Sequence, residues 1–292
     1  MTAPTLPPAA PSLARKDLRA LLGGDRIDPR YYSSALITAV LVSAQLTLGV
    51  LEGLDRLALA IATCVVTELV LSRILLGRWP NLASAYISGI SVGILVRSLA
   101  LWPFVIGAAL AIMSKYVLRL RGRHLWNPSN FSVVLMLVTA PAAVNALSRQ
   151  WSNSPLAIAI IWAFGLLVVW RVSRLHVTLT YVAAFCAGAA VRSWLTGVPL
   201  LAEIGPLTGP MYQLFIFFMV TDPPTGVSTR AGRMGVVVLV AVVETVLRLF
   251  EQVNAPFYAL FLVGPLALAI DLRRTAPARE VAAGRGGALP VG

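Results

Sequence analysis

Apolar runs of about 16–22 residues, separated by short basic or proline-broken connections, recur from Tyr31 to Ile270. A backbone in lipid has no water to satisfy its N–H and C=O groups, so runs of this length must fold as helices. Ten spans are predicted, near residues 31–51, 57–76, 82–97, 102–118, 130–147, 155–171, 176–195, 207–221, 234–250 and 256–271. The expected fold is therefore all-α, a polytopic membrane unit over residues 29–274. Flexible cytoplasmic tails are expected at 1–28 and 275–292. Composition agrees: 58% of the 292 residues are hydrophobic and only 12% charged, with a mean hydropathy of +0.81. That balance excludes a soluble globular domain. No apolar run precedes Pro29, so no cleavable signal peptide is expected.

Charge sets the topology. The net charge of +12 does not point to nucleic acid, because the basic residues sit between apolar runs rather than on one face. With both termini inside, 19 of the 24 basic residues fall in inner segments, and only Arg56, Arg97, Arg149, Arg192 and Arg248 fall outside. A positive-inside split of this size predicts a multi-pass protein of a bacterial inner membrane with cytoplasmic ends. Trp79, Trp102, Trp126, Trp151, Trp170 and Trp194 lie at predicted span ends, at headgroup depth. Cys64 and Cys186 stand alone in apolar segments and read as buried hydrophobes. His124 and His176 lack metal-ligand spacing, so no metal site is expected. There is no P-loop, dinucleotide fingerprint, HExxH or Ser/His/Asp grouping.

Four constellations depart from plain membrane packing. Residues 115–130 form an inner loop with Lys115, Arg123, His124, Asn127 and Asn130; Asn127 suits a helix N-cap and Pro128 the first helical position. Such a loop either cradles an anionic ligand at the helix start or serves as a positive-inside loop with a good cap. Thr221-Asp222-Pro223-Pro224-Thr225 is a polar, proline-broken turn on the same side. Its Asp222 would bond the N–H groups of a polar ring or cap a broken helix. Residues 84–93 are rich in Ser and Gly, including Ser88, which favours close helix packing and alternatively lines a flat cofactor slot. Last come the intramembrane charges Glu68, Glu244, Arg97 and Arg192, which suit proton or ion handling or structural Glu–Arg pairing.

These motifs together resemble the NqrB/RnfD/RnfE family. The resemblance rests on Ser-x-x-x-(Ser/Thr)-Gly at 84–89, Ser114-Lys115, Asn127-Pro128, and Phe217-Phe218-Met219-x-Thr221-Asp222-Pro223. It covers nearly all of residues 28–274 and is strongest to short stand-alone relatives, including those of enediyne biosynthesis clusters. It implies ten helices in two inverted five-helix repeats, about 31–147 and 155–271. It also implies electron transfer with FMN or riboflavin bound non-covalently. The covalent form uses a threonine in a Ser-Gly-Ala-Thr-type motif between spans five and six, and residues 140–154 contain no threonine.

By the same resemblance Lys115, Arg123, His124, Asn127, Asn130, Ser88, Thr221, Asp222 and Thr225 would contact the flavin. Electrons would come from other redox membrane subunits or a soluble donor, since nothing in the chain binds NADH. Two other readings are a small-solute or ion transporter or channel using Glu68 and Glu244, and a membrane accessory protein of a biosynthetic cluster.

Overall fold

The computed structural model describes residues 53–146, 155–171, 173–209, 215–221 and 227–286, with Tyr212, Gln213 and several helical positions between 34 and 45. Most of the first predicted span, the tail 1–28, Arg149, Trp151, Asp222 and Thr225 lie outside the described residues.

The described chain is mostly helical. Helix α1 (Leu54–Leu76), α2 (Ala83–Leu95), α3 (Trp102–Val117) and α4 (Pro128–Thr139) make up the first half. Helix α5 (Pro155–Arg171), α6 (Leu175–Thr196), the short α7 (Leu200–Ile204), α8 (Arg230–Leu249) and α9 (Ala255–Gly286) make up the second. Among the described residues three helices are long and apolar enough to cross a membrane: α1, α6 and the Ala255–Arg273 part of α9. Only 17% of the most apolar stretch of α1 is buried inside the protein, and Val66, Val70, Ile74 and Leu75 point outward. Such a surface is stable against lipid and costly in water.

Three predicted spans differ in form. The fifth ends at Thr139 rather than near 147, and the chain then turns back through residues 141–145. The eighth is broken into a 3-10 turn at Gly205–Thr208 and a π-helical turn at Phe215–Met219. The tenth runs on to Gly286 as helix, through residues assigned to the tail. An all-α expectation also misses a two-residue hairpin, β1 (Arg119–Leu120) with β2 (Arg123–His124), in register Arg119↔His124 and Leu120↔Arg123. Its turn, Arg121-Gly122, takes positive φ at both positions (50° and 81°), the mirror-image turn that suits strand twist. Sequence pattern missed it because two-residue strands carry no periodicity.

The small residues at 84–93 serve close packing. A Cβ on Gly89 would stand 2.6 Å from the Ile61 Cα, and one on Gly93 would stand 2.8 Å from the Leu57 side chain. Helices α1 and α2 therefore touch backbone to backbone, the main gain available to apolar helices in lipid. Gly89→Ala should force them apart and lower stability by about 1–3 kcal/mol, read as a lower thermal midpoint in detergent. Gly235→Ala, where a Cβ meets nothing within 4 Å, should be neutral or slightly stabilising.

Candidate functional site

Four of the element ends in the first half converge on one cavity. Gly53, Arg56 and Leu57 come from the start of α1, and Gly93 to Leu99 from the end of α2 and the chain after it. Phe104 comes from the start of α3, and Pro141 to Asn145 from the chain after α4. The cavity holds about 360 Å³, within the range of small-molecule and cofactor sites. Helices α2 and α4 stop short of a bilayer's depth, so irregular backbone forms the wall. That backbone is satisfied by a two-way bridge, Arg97 N–H to Asn145 O at 2.7 Å and Asn145 N–H to Arg97 O at 2.9 Å. Among the described residues no carboxylate lines the cavity, whereas Arg56 and Arg97 both do. The start of α1, capped by Gly53 without a side-chain bond, adds the positive end of a helix dipole. The buried Arg56 Nε hydrogen-bonds to nothing among the described residues.

A smaller recess lies at the other end of α4. Leu125 to Asn127 line it just before α4, with Arg174 and Val177 at the start of α6 and Met219 and Val220 beside the π-helical turn. Arg233 and Val236 from the start of α8 and Leu260, Gly264 and Ala267 from α9 complete it. The Asn-Pro loop and the flank of the Thr-Asp-Pro-Pro-Thr turn, about ninety residues apart in sequence, thus share one site. The described part holds about 40 Å³, room for water rather than for a ring system. The buried Arg233 Nε also lacks a partner among the described residues.

The predicted residues of this inner end are largely bound to protein. Asn127 caps α4, its Oδ1 accepting from the Asn130 N–H at 3.0 Å. The Asn130 side chain, fully buried, donates to the Phe257 carbonyl at 3.2 Å. Trp126 donates to the Phe261 carbonyl at 2.8 Å and stacks on its ring, so α4 is locked to α9. Lys115 pairs with Glu68 at 3.6 Å and donates to Ser84 Oγ at 3.1 Å. Tyr116 donates to Glu68 at 2.8 Å. Arg123 pairs with Asp271 at 3.3 Å, and Asp271 also accepts from Ser228 Oγ at 2.7 Å. Ser88 bonds back to the Ser84 carbonyl, and Thr221 Oγ1 to the Phe217 carbonyl at 2.5 Å. His124 Nδ1 is buried without a hydrogen-bond partner among the described residues. Burial, then the positive Arg119 and Lys115, push its pKa below the usual 6.5.

The second half holds a buried polar cluster. Glu244 on α8 has no solvent exposure. It accepts hydrogen bonds from the Tyr181 and Tyr212 hydroxyls and from Arg248 Nε, the last at 2.8 Å. The two hydroxyls stand 3.0 Å apart. Phe185 lies between two guanidinium groups, Arg248 at 5.6 Å and Arg192 at 5.2 Å from its ring centre. Arg192, only 2% exposed, reaches Glu203 at 2.6 Å and Thr245 at 3.3 Å. Gly188 makes this possible, since a Cβ there would strike Thr245 Oγ1 at 2.2 Å.

Sequence reasoning named Glu244 and Arg192 but missed Tyr181, Tyr212, Arg248, Glu203, Arg56, Arg174, Arg233 and Asp271 as site members. One signal for two of these residues, Arg56 and Arg248, was present. Arg56, Arg97, Arg192 and Arg248 are the described members of the five arginines that break the predicted positive-inside trend, and each lines the cavity or bonds a buried group. No protein-family model matches the chain, and no curated protein matches it.

Glu244→Gln should leave the partly buried Arg248 without its counter-charge and cost up to about 3–5 kcal/mol of stability. Tyr181→Phe should cost about 1 kcal/mol. Chemical unfolding in detergent would separate the two. For His124, the fold favours the neutral ring, so the unfolded chain binds the proton first as pH falls. Its stabilising share should be whole above pH 6.5, drain away below it, and level off under the lowered native value. A His124→Asn variant should show a flatter midpoint over that window.

Proposed function

We propose that this chain is an integral membrane redox subunit of the NqrB/RnfD/RnfE kind, holding FMN or riboflavin non-covalently and passing electrons between partners. In this reading it has about ten spans in two inverted five-helix repeats, sits in a bacterial inner membrane, and has both termini in the cytoplasm. The observation that carries the reading is the pair of arginine-lined sites at opposite ends of α4. The cavity uses the start of α1, the end of α2, the start of α3 and the chain after α4. The recess uses the start of α6, the end of the broken eighth span, the start of α8 and α9. The first three are corresponding ends, taken one half-chain later and at the opposite end of α4, while α9 contributes residues from within the helix. That correspondence is what an inverted repeat would produce.

The outer cavity fits a flavin in room and charge. Arg56 and Arg97 would hold its anionic tail, with Leu57 and Phe104 as apolar walls and the 96–98 and 141–145 backbone beside its polar edge. The flavin would supply one- and two-electron redox chemistry; the protein would bind it, orient it and keep water away. The inner recess is smaller and supports an anionic or polar group, with Met219 and Val220 in its wall just before Thr221. Electrons would then come from another membrane subunit or a soluble donor. The competing transporter reading draws on Glu68 and Glu244, but each is already paired with a cation, which favours anchoring over ion passage.

Purified protein should show flavin absorbance, or bind added FMN, and release the flavin on acid precipitation. An Arg56→Gln/Arg97→Gln variant should bind FMN about 10- to 100-fold more weakly, with each arginine contributing as a charge-assisted bond does. Absence of FMN binding, combined with solute flux in proteoliposomes that Glu68→Gln or Glu244→Gln abolishes, would sink this reading in favour of transport.

A further inference from the structure

The hairpin between α3 and α4 has a role that neither site uses. Its tip, Arg119-Leu120-Arg121-Gly122, is exposed. It cannot project far, because β1 and β2 are two residues each and both arms are tied to α9. Arg121 donates to the Leu272 carbonyl at 3.1 Å, and Arg123 pairs with Asp271 at 3.3 Å. Residues 271–272 close the apolar stretch of α9, which ends at Arg273. The tip is therefore held level with the end of that apolar stretch, the depth at which headgroups would begin for a helix spanning a bilayer. Exposed Val117 and Trp79 lie at the same end of the bundle, as interfacial apolar and aromatic side chains do.

The charge of the tip is unspent. Arg119 donates through Nε to the Lys115 carbonyl and lies over the Tyr116 ring at 5.8 Å. Both anchors of Arg119 and Arg121 are neutral carbonyls or a ring, and no carboxylate among the described residues pairs with either. The carboxylates at this end, Glu68 and Asp271, already hold Lys115 and Arg123. A guanidinium fixed by one N–H to a carbonyl is oriented and still carries its full charge and its other donors. Two such groups flank one half-exposed leucine.

We infer that the Arg119–Arg121 tip is a binding site for the phosphate headgroup of an anionic lipid, with Leu120 set against the acyl chains. The held depth and the leucine favour a lipid over an acidic soluble partner, which would meet a tip standing clear of the membrane.

The test titrates short-chain phosphatidylglycerol, and separately phosphatidylcholine, inorganic phosphate and polyglutamate, into the detergent-solubilised full chain while following tryptophan fluorescence. Saturable binding of phosphatidylglycerol is expected, weakened roughly tenfold or more in Arg119→Gln/Arg121→Gln. Arg119→Lys/Arg121→Lys should recover part of the loss, and unchanged helicity in both variants would show that they fold. Equal affinity in wild type and the glutamine variant would overturn the inference. So would equal binding of phosphatidylcholine, of inorganic phosphate alone, or of polyglutamate; the last would mark an acidic protein as the partner.

Discussion

A carboxylate with no exposure to solvent organises the second half of this molecule. Glu244 can stay buried only because Tyr181, Tyr212 and Arg248 satisfy both of its oxygens. Those partners come from α6, from the segment between α7 and the π-helical turn, and from α8. Taking any one away exposes a charge or a polar group to a medium that cannot solvate it. The cluster therefore sets how α6 and α8 approach, and Gly188 permits the contact that brings Arg192 to Thr245. With α6 and α8 fixed, their inner ends frame the recess beside Asn127.

The first half solves the same problem with smaller means. Glu68 is held by Tyr116 and Lys115, again a carboxylate between a tyrosine and a cation on neighbouring helices. Glycines rather than charges bring α1 and α2 together. The consequence is functional: where α2 and α4 end early, the chain runs irregular and lines a cavity. The bridge between Arg97 and Asn145 pairs the N–H and C=O of both residues where that backbone is irregular. A basic cavity at one face and a basic recess at the other follow from where helices stop, not from any single motif.

Much of this was legible in the residues. Asn127-Pro128 announced the start of α4, and the observed cap is the one the pair predicts. Six further predicted spans appear as helices within a few residues of their expected bounds. The glycines of 89 and 93 were legible as a close approach. What stayed hidden was partnership. Lys115 read as a ligand for an anion, and in the fold it faces Glu68, which lies 47 positions earlier. Tyr181 and Tyr212 gave no signal, because a tyrosine in an apolar run is ordinary until a carboxylate is found opposite it. The early end of α4 was overlooked although Pro141 signals it, because residues 140–146 are otherwise apolar.

By itself the sequence determined that this chain folds as apolar helices joined by basic connections. Hydrocarbon length and charge asymmetry are properties of residues in order, independent of what they touch. Tertiary structure alone decided which buried charges are neutralised, and by whom. It also decided that the outer arginines divide between pairing a carboxylate and lining a cavity. Those outcomes depend on distances between helices far apart in the chain, and an electrostatic contact in a low-dielectric interior is made or lost within a few ångströms.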